Sequence, residues 1–302
     1  MKKNKSSTKW ISLMGRSKTE GEKLIYVPTK NEEGPSEGQY SPCIAKSNID
    51  FESGKIRFNV TFKATGEKCQ VVLNHGAQHE VFVGYNFGRG SFGIMNYSGG
   101  KWENVVTVGD QGSLPLNQKI KTEIIVRGSV IDLFIDDVKV CSGVSQISKS
   151  QLGILFTGDK EILVEEFSAS ATPPKAFVVM QFSPEYNELY EEVIKHTCMK
   201  FGLEVVRADD MFTSSQILED IIKSIKESSV VIADITADNP NVFYEVGYAH
   251  AINKPTILLS DKKRIKLPFD VSGFRTLFYE NSIGGKRAVE ENLYKYLQNI
   301  SL

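Results

Sequence analysis

Glu245 is the side chain in this sequence best set up for chemistry. It stands in the run Asn239-Pro240-Asn241-Val242-Phe243-Tyr244-Glu245-Val246-Gly247-Tyr248. On a helix, Asn241 four residues before it and Tyr248 three residues after it share its face. A carboxylate with amide and phenol neighbours can act as a nucleophile or stabilise a developing cation. The alternative is an ordinary glutamate on a helix surface. Asp234 follows the apolar run Ser229–Ala233, so it faces either the same site or the N-terminus of the next helix, where it would cap rather than bind. The loop 236–241 offers free N–H groups at a helix start, suited to a phosphate or a ribose hydroxyl. Pro240 removes one of those donors, and no G-x-x-x-x-G-K-S/T run occurs in the chain, which excludes a P-loop. His75 and His79 lie four apart without an evident third ligand, so no metal site is expected.

A parallel sheet must position these groups. From Lys175 onward strand and helix patterns alternate, the mark of an α/β unit. Ala176–Met180, Leu203–Val206, Val230–Ala233, Thr256–Leu259 and Thr276–Tyr279 read as five strands. Ser183 with Pro184 opens the first helix, and Thr213 with Gln216 fits a capping box for the second. Asn239 caps the Glu245 helix with Pro240 at its first position, and Asn253 and Pro255 stop it. Gln181, Phe182 and Ser183 follow the first strand, and Asp209 and Asp210 the second. Both loops therefore fall at the carboxyl ends of strands, where an open sheet of this kind places its ligand.

Tyr244-Glu245-Val246-Gly247-Tyr248-Ala249, followed by Lys254-Pro255 and an apolar strand, resembles the signature of nucleoside 2-deoxyribosyltransferase-like domains, which are relatives of bacterial TIR-like domains. The resemblance spans Lys175 to about Ile300 and includes Phe177-Val178-Val179-Met180-Gln181-Phe182-Ser183 and Arg207-Ala208-Asp209-Asp210. It implies a flavodoxin-like fold with Glu245 as the catalytic residue. In the transferases the corresponding glutamate attacks the anomeric carbon; in TIR domains a helix-borne glutamate cleaves the nicotinamide–ribose bond of NAD. Such cleavage builds oxocarbenium character that a carboxylate can trap or stabilise. The resemblance further implies that Gln181, Phe182 and Ser183 line the pocket. Phe182 would either stack on a base or staple into the core. Asp209 and Asp210 would receive a ribose hydroxyl or form a solvated turn, since loop residues outside the Glu245 helix vary in type across the family. Asn241, Tyr248 and Asp234 complete the expected substrate-binding set. NAD, a nucleoside or a nucleotide is the expected substrate, with no separate cofactor. The rival function is a non-catalytic module that binds a nucleotide signal in the same crevice.

The first half has another character. Lys55 to Lys63 alternates, with Ile56, Phe58, Val60 and Phe62 on one face, as a half-buried antiparallel strand does. Further short strands at regular spacing run to Phe167, with tight turns at Arg127-Gly128-Ser129 and Asp136-Asp137. The hairpin Ser129–Val140, then Leu152-Gly153-Ile154 and a closing strand at Phe167, resemble the concanavalin A-like (laminin G-like) jelly rolls. Members of that superfamily bind glycans or proteins, and some are enzymes, so little function carries over; a sensor or assembly module is the expected role. The expected organisation is a loose tail over 1–20, an antiparallel β-sandwich over 21–171 and an α/β unit over 172–302, joined through the Pro-rich stretch Ser168–Lys175: an α+β chain of two domains.

Composition narrows the remaining classes. The 36 Lys and Arg nearly cancel the 37 Asp and Glu, so no broad basic field argues for direct nucleic-acid binding. Four scattered cysteines without a C-x-x-C fit a reducing compartment. No apolar run of signal or membrane-spanning length occurs, and a cytoplasmic location is expected. The sandwich is expected to hold a second copy or a protein partner. TIR-like domains joined to sensor domains occur in bacterial anti-phage defence, which supplies a setting for the whole.

Overall fold

A computed structural model of the chain describes residues 8–33, 37–88, 90–208, 217–264 and 266–300. The chain divides into two compact units, and the change from one to the other falls between Thr172 and Pro173.

The first unit is an antiparallel β-sandwich. One sheet has the order β1 (Trp10–Met14), β4 (Cys43–Phe51), β13 (Ser150–Thr157), β6 (Lys68–Leu73), β7 (His79–Tyr85), β8 (Phe92–Ser98), β9 (Lys101–Val108). The other runs β12 (Val138–Val144), β11 (Val130–Ile135), β10 (Ile120–Arg127), β5 (Gly54–Thr61), β14 (Ile162–Ala171), β3 (Lys23–Tyr26), β2 (Ser17–Glu20). Strand β5 shows the rule that builds it: Ile56, Phe58 and Val60 are buried and Arg57 is exposed, as period-two alternation requires. The core is shared by both sheets. Tyr26 stacks on Phe156 at 5.8 Å, and the Tyr85 hydroxyl meets Thr122 Oγ1 at 2.6 Å.

Two expectations are corrected here. The stretch 1–20 is not a loose tail throughout, because Trp10–Met14 pairs with β4 and Ser17–Glu20 with β3. Trp10 alone turns inward, edge-on to Phe167 at 4.9 Å, while Ile11, Leu13 and Met14 are exposed. A strand half-buried at one residue shows no alternation to read. The linker is also shorter than Ser168–Lys175. Ser168 to Ala171 pair with β5, and only Thr172 to Pro174 separate β14 from β15 (Lys175–Val179). A register shift between Glu165 and Ser168, with Glu166 at φ 56, breaks the alternation and masks the rest of the strand.

The second unit holds a fully parallel five-stranded sheet in the order β16 (Glu204–Arg207), β15, β17 (Val230–Asp234), β18 (Thr256–Asp261), β19 (Thr276–Tyr279). Numbered within the unit this is 2-1-3-4-5, the flavodoxin-like order, whose switch point lies between β15 and β17. Of the three inner strands, β15 and β17 are apolar between Lys175 at the start of one and Asp234 at the end of the other, as strands covered on two faces are. On one face lie α1 (Pro184–Leu189), a π-helical turn Tyr190–Lys195, α2 (His196–Lys200) and α6 (Ile283–Asn299), packing Tyr190, Ile194, Leu293 and Leu297 on Val178 and Ile232. On the other, α3 (Ile217–Glu227) and α4 (Pro240–Ala251) pack Ile221, Ile225, Val242, Val246 and Ala249 on Phe177, Val179, Val231 and Ala233. A short α5 (Phe269–Ser272), too brief to carry a period, completes the unit. No helix among the described residues is long and apolar enough to cross a membrane.

Candidate functional site

Helix α4 begins as its sequence requires. Asn239 is extended at φ −101, ψ 112, its Oδ1 accepts the Asn241 N–H at 3.0 Å, and Pro240 follows at the first helical position. Asn253 at φ 54 ends it in the left-handed region. Asn239→Ala is expected to lower stability by about 1 kcal/mol, and Asn239→Ser to restore it, since serine caps equally well; thermal melts of the three proteins check this.

The buried stripe of α4 is Val242, Glu245, Val246 and Ala249. Three members are what a helix lying on a sheet needs. Glu245 is the fourth, a carboxyl group in a core position, and it keeps 9% of its surface. It has no hydrogen-bond or ion-pair partner among the described residues. Burial with nothing to offset it pushes its carboxyl up to about 7, from 4.5.

Glu245 opens into a cavity of about 530 Å³ in the crevice between α3 and α4, beyond the ends of β15 and β16. Val178, Val179, Met180, Ala208, Ile217, Leu218, Ile221 and Val242 supply apolar lining. Phe182, Tyr244, Asn239, Asn241 and Asp220 complete the wall. Phe182 is 53% exposed, so it does not staple into the core. It lies over the Arg207 guanidinium at 5.3 Å from its ring centroid, and Arg207 lies 4.1 Å from the Tyr190 ring on the other side. Arg207 Nη1 donates to Asn187 Oδ1 at 2.9 Å, which fixes the stack.

Of the residues singled out in the sequence, the fold brings Glu245, Asn241 and Phe182 together. Gln181 and Ser183 border the same loop without lining the cavity. Ser183 is the N-cap position of α1, where its carbonyl accepts the Asn187 N–H at 2.9 Å and its side chain makes no capping bond. Tyr248 is half-buried against the α3–α4 side of the core, and Tyr244 lines the cavity. Asp234 is buried and turned elsewhere. Its Oδ1 accepts the Thr236 N–H at 2.9 Å and its Oδ2 the Tyr279 hydroxyl at 2.7 Å. Burial raises its pKa, and those two donors offset part of the rise. These contacts belong to the turn at Thr236 and to β19, not to the N-terminus of α4, and Asp234 does not line the Glu245 cavity. Asp209 and Asp210, with the capping pair Thr213 and Gln216, lie outside the described residues.

Elsewhere, His75 Nδ1 pairs with Glu80 Oε1 at 2.8 Å and His79 Nε2 with Ser145 Oγ at 3.0 Å. His250 stacks on Phe274 at 4.1 Å. Two contributors escaped the sequence reading. Asp220 looks like any acidic residue in a first helical turn, and Arg264 sits in the run Lys262-Lys263-Arg264, which reads as a solvated surface.

Comparison with known proteins adds no family. No protein-family model matches the chain, and no curated protein matches it. Among solved structures, a carbohydrate-binding module, CBM66, from Bacillus subtilis is 12% identical, covering 55% of this chain and 97% of its own at a TM-score of 0.44. A Bacillus subtilis protein with a galectin-like fold is 9% identical, covering 53% and 87% at a TM-score of 0.41. A β-glucanase from Bacillus licheniformis is 10% identical, covering 57% and 95% at 0.37. It is the strand order and shared core described above that define the first unit as a β-sandwich.

Proposed function

We propose that the second unit binds a nucleoside or nucleotide, NAD included, and cleaves or transfers at its N-glycosidic bond, with Glu245 as nucleophile or cation stabiliser. The observation that carries this reading is an unpartnered carboxyl group in a core position, opening into a largely apolar cavity with aromatic walls. A folded protein gains nothing in stability from such a group; a reaction that develops positive charge at the anomeric carbon does. Asp220 supplies a second carboxyl to the wall of the same cavity. Phe182 and Tyr244 offer faces to a planar heterocycle, and Asn239 and Asn241 offer amides to sugar hydroxyls. The resemblance of the Tyr244–Ala249 motif to nucleoside 2-deoxyribosyltransferase-like and TIR-like domains agrees with this assignment. The β-sandwich then serves as a sensor or assembly module, a pairing suited to anti-phage defence.

The test is incubation of the full chain with NAD, nucleosides and deoxynucleotides, with freed base followed by chromatography. Base release supports the reading. Binding of the same compounds without release favours a nucleotide-sensing module instead. The pH profile adds a sign. A nucleophilic Glu245 must be ionised, and its pKa is about 7, so kcat/KM is expected to climb about tenfold per pH unit below that value and level off above it. A profile flat from pH 5 to 8 would remove Glu245 from the nucleophile's role.

A further inference from the structure

The connector between β17 and α4, residues 235–239, decides where Glu245 sits, and one guanidinium holds most of it. Arg264 lies in the loop after β18, and its side chain is only 9% exposed. Its Nη1 donates to the Ile235 carbonyl at 2.9 Å and to the Thr236 carbonyl at 2.7 Å. Its Nη2 pairs with the Asp238 carboxylate. Its Nε donates to the Lys266 carbonyl at 3.1 Å, which ties the fork to its own loop. The guanidinium carbon lies 5.8 Å from the ring centroid of Phe243, in the first turn of α4. One planar cation thus grips the strand exit, the residue before the helix cap and the helix itself. The first two acceptors are main-chain carbonyls that leave the sheet ladder at Ile235, with no other hydrogen-bond donor among the described residues. Arg264 does not line the Glu245 cavity.

We infer that Arg264 is a positioning residue: its guanidinium fork fixes the β17–α4 connector and so sets the placement of Glu245 in the cavity. This rests on the reading of Glu245 given above for its consequence in rate, though not for its geometry. Asp234 and Tyr279 anchor the sheet end of the same connector. Arg264 adds a polar tie from the strand exit to the helix, beside the packing of Ile235 with Val242 and Val246. Lysine in its place keeps the charge and could meet Asp238, but a single ammonium cannot match the fork's planar arrangement on two carbonyls and a carboxylate.

The experiment compares the full-length parent with Arg264→Ala and Arg264→Lys in two readouts. The first is base release from nucleosides and NAD. The second is the titration of the Glu245 carboxyl followed by ¹³C NMR of glutamate-labelled protein, assigned with Glu245→Gln. For folded Arg264→Ala, kcat is expected to fall roughly a hundredfold, the size a displacement of about 1 Å produces, with KM within a few-fold. The Glu245 midpoint is expected to move down toward the ordinary glutamate range as water reaches it. Arg264→Lys is expected to follow in the same direction. A folded Arg264→Ala with parent-like kcat and an unmoved Glu245 midpoint overturns the inference, as does a fall in rate without movement of the midpoint. If the parent releases no base from any compound, the proposed function fails on its own. The midpoint then decides the positioning role: movement supports it and constancy overturns it. If Arg264→Ala does not fold, Arg264→Lys is judged by the same two readouts.

Discussion

Glu245→Gln is expected to lose base release by roughly a hundredfold to a thousandfold or more, while substrate affinity changes far less. Glutamine keeps the size of the side chain and removes the charge that meets the developing cation, which costs on the order of 3–4 kcal/mol of transition-state stabilisation. The ground-state sugar is not yet cationic, so binding has little to lose. The same substitution carries a second, opposite signature. The folded-state pKa of Glu245, about 7, stands above its ordinary value of 4.5, so between those values the folded chain holds a proton that the unfolded chain has released. Stability therefore falls as pH rises through this window, and the whole cost is present above it. Glutamine removes that cost, which is at most about 3 kcal/mol. Glu245→Gln should melt higher than the parent at pH 8 and alike near pH 4.5. A protein that turns over like the parent and melts like it at both pH values would place Glu245 outside any site. Slower chemistry with greater stability is the pattern expected of a group kept for function.

Asp234→Ala should show the reverse pattern, a large loss of stability before any specific loss of chemistry. Asp234 ends β17, where it accepts from the Thr236 N–H and the Tyr279 hydroxyl, and Thr236 Oγ1 in turn accepts the Asp261 N–H at 2.8 Å. Alanine leaves the Thr236 and Tyr279 donors without their acceptor at the end of the central strand. The expected cost is about 2–4 kcal/mol, because an orphaned buried donor forfeits its full desolvation energy and the relief of burying one less carboxylate returns only part of it. Asp234→Asn retains an acceptor oxygen for Thr236 and should cost less. Tyr279→Phe removes the donor to Asp234 together with the hydroxyl's 3.3 Å contact with Thr236 Oγ1, and a double-mutant cycle with Asp234→Asn measures the coupling of the two side chains. If Asp234→Ala melts like the parent yet binds substrate poorly, Asp234 belongs to the ligand and not to the turn.

The α4 segment was legible because several local rules agreed on it: Asn239 as cap, Pro240 at the first position, an apolar run before it and Asn253 after it. The inner strands β15 and β17 were legible for a related reason, since strands covered on both faces read as near-continuous apolar runs. The parallel sheet and the β-sandwich of the first unit agree with the fold class expected from pattern, and the strand order agrees with the flavodoxin-like fold that the motif resemblance implied. Where single rules stood without support the reading slipped. Strand β1 half-buries one residue of five and buries none, and β14 changes register at Glu165 to Ser168, so neither offered a period. Tyr248 shares a helical face with Glu245 in projection, but the sheet and α3 determine which part of that face is covered.

By itself the sequence determined the elements, their type and the one carboxylate set among apolar neighbours on a helix. These depend on contacts a few residues apart, which spacing records directly. The tertiary fold decided what that carboxylate experiences. Only packing shows that Glu245 is buried and unpartnered among the described residues, that Asp234 bonds Tyr279 far along the chain, that Asp220 shares the Glu245 cavity, and that Arg264 reaches back to the β17–α4 connector. Burial and partner identity are properties of residues distant in sequence brought together, and local pattern carries no record of them.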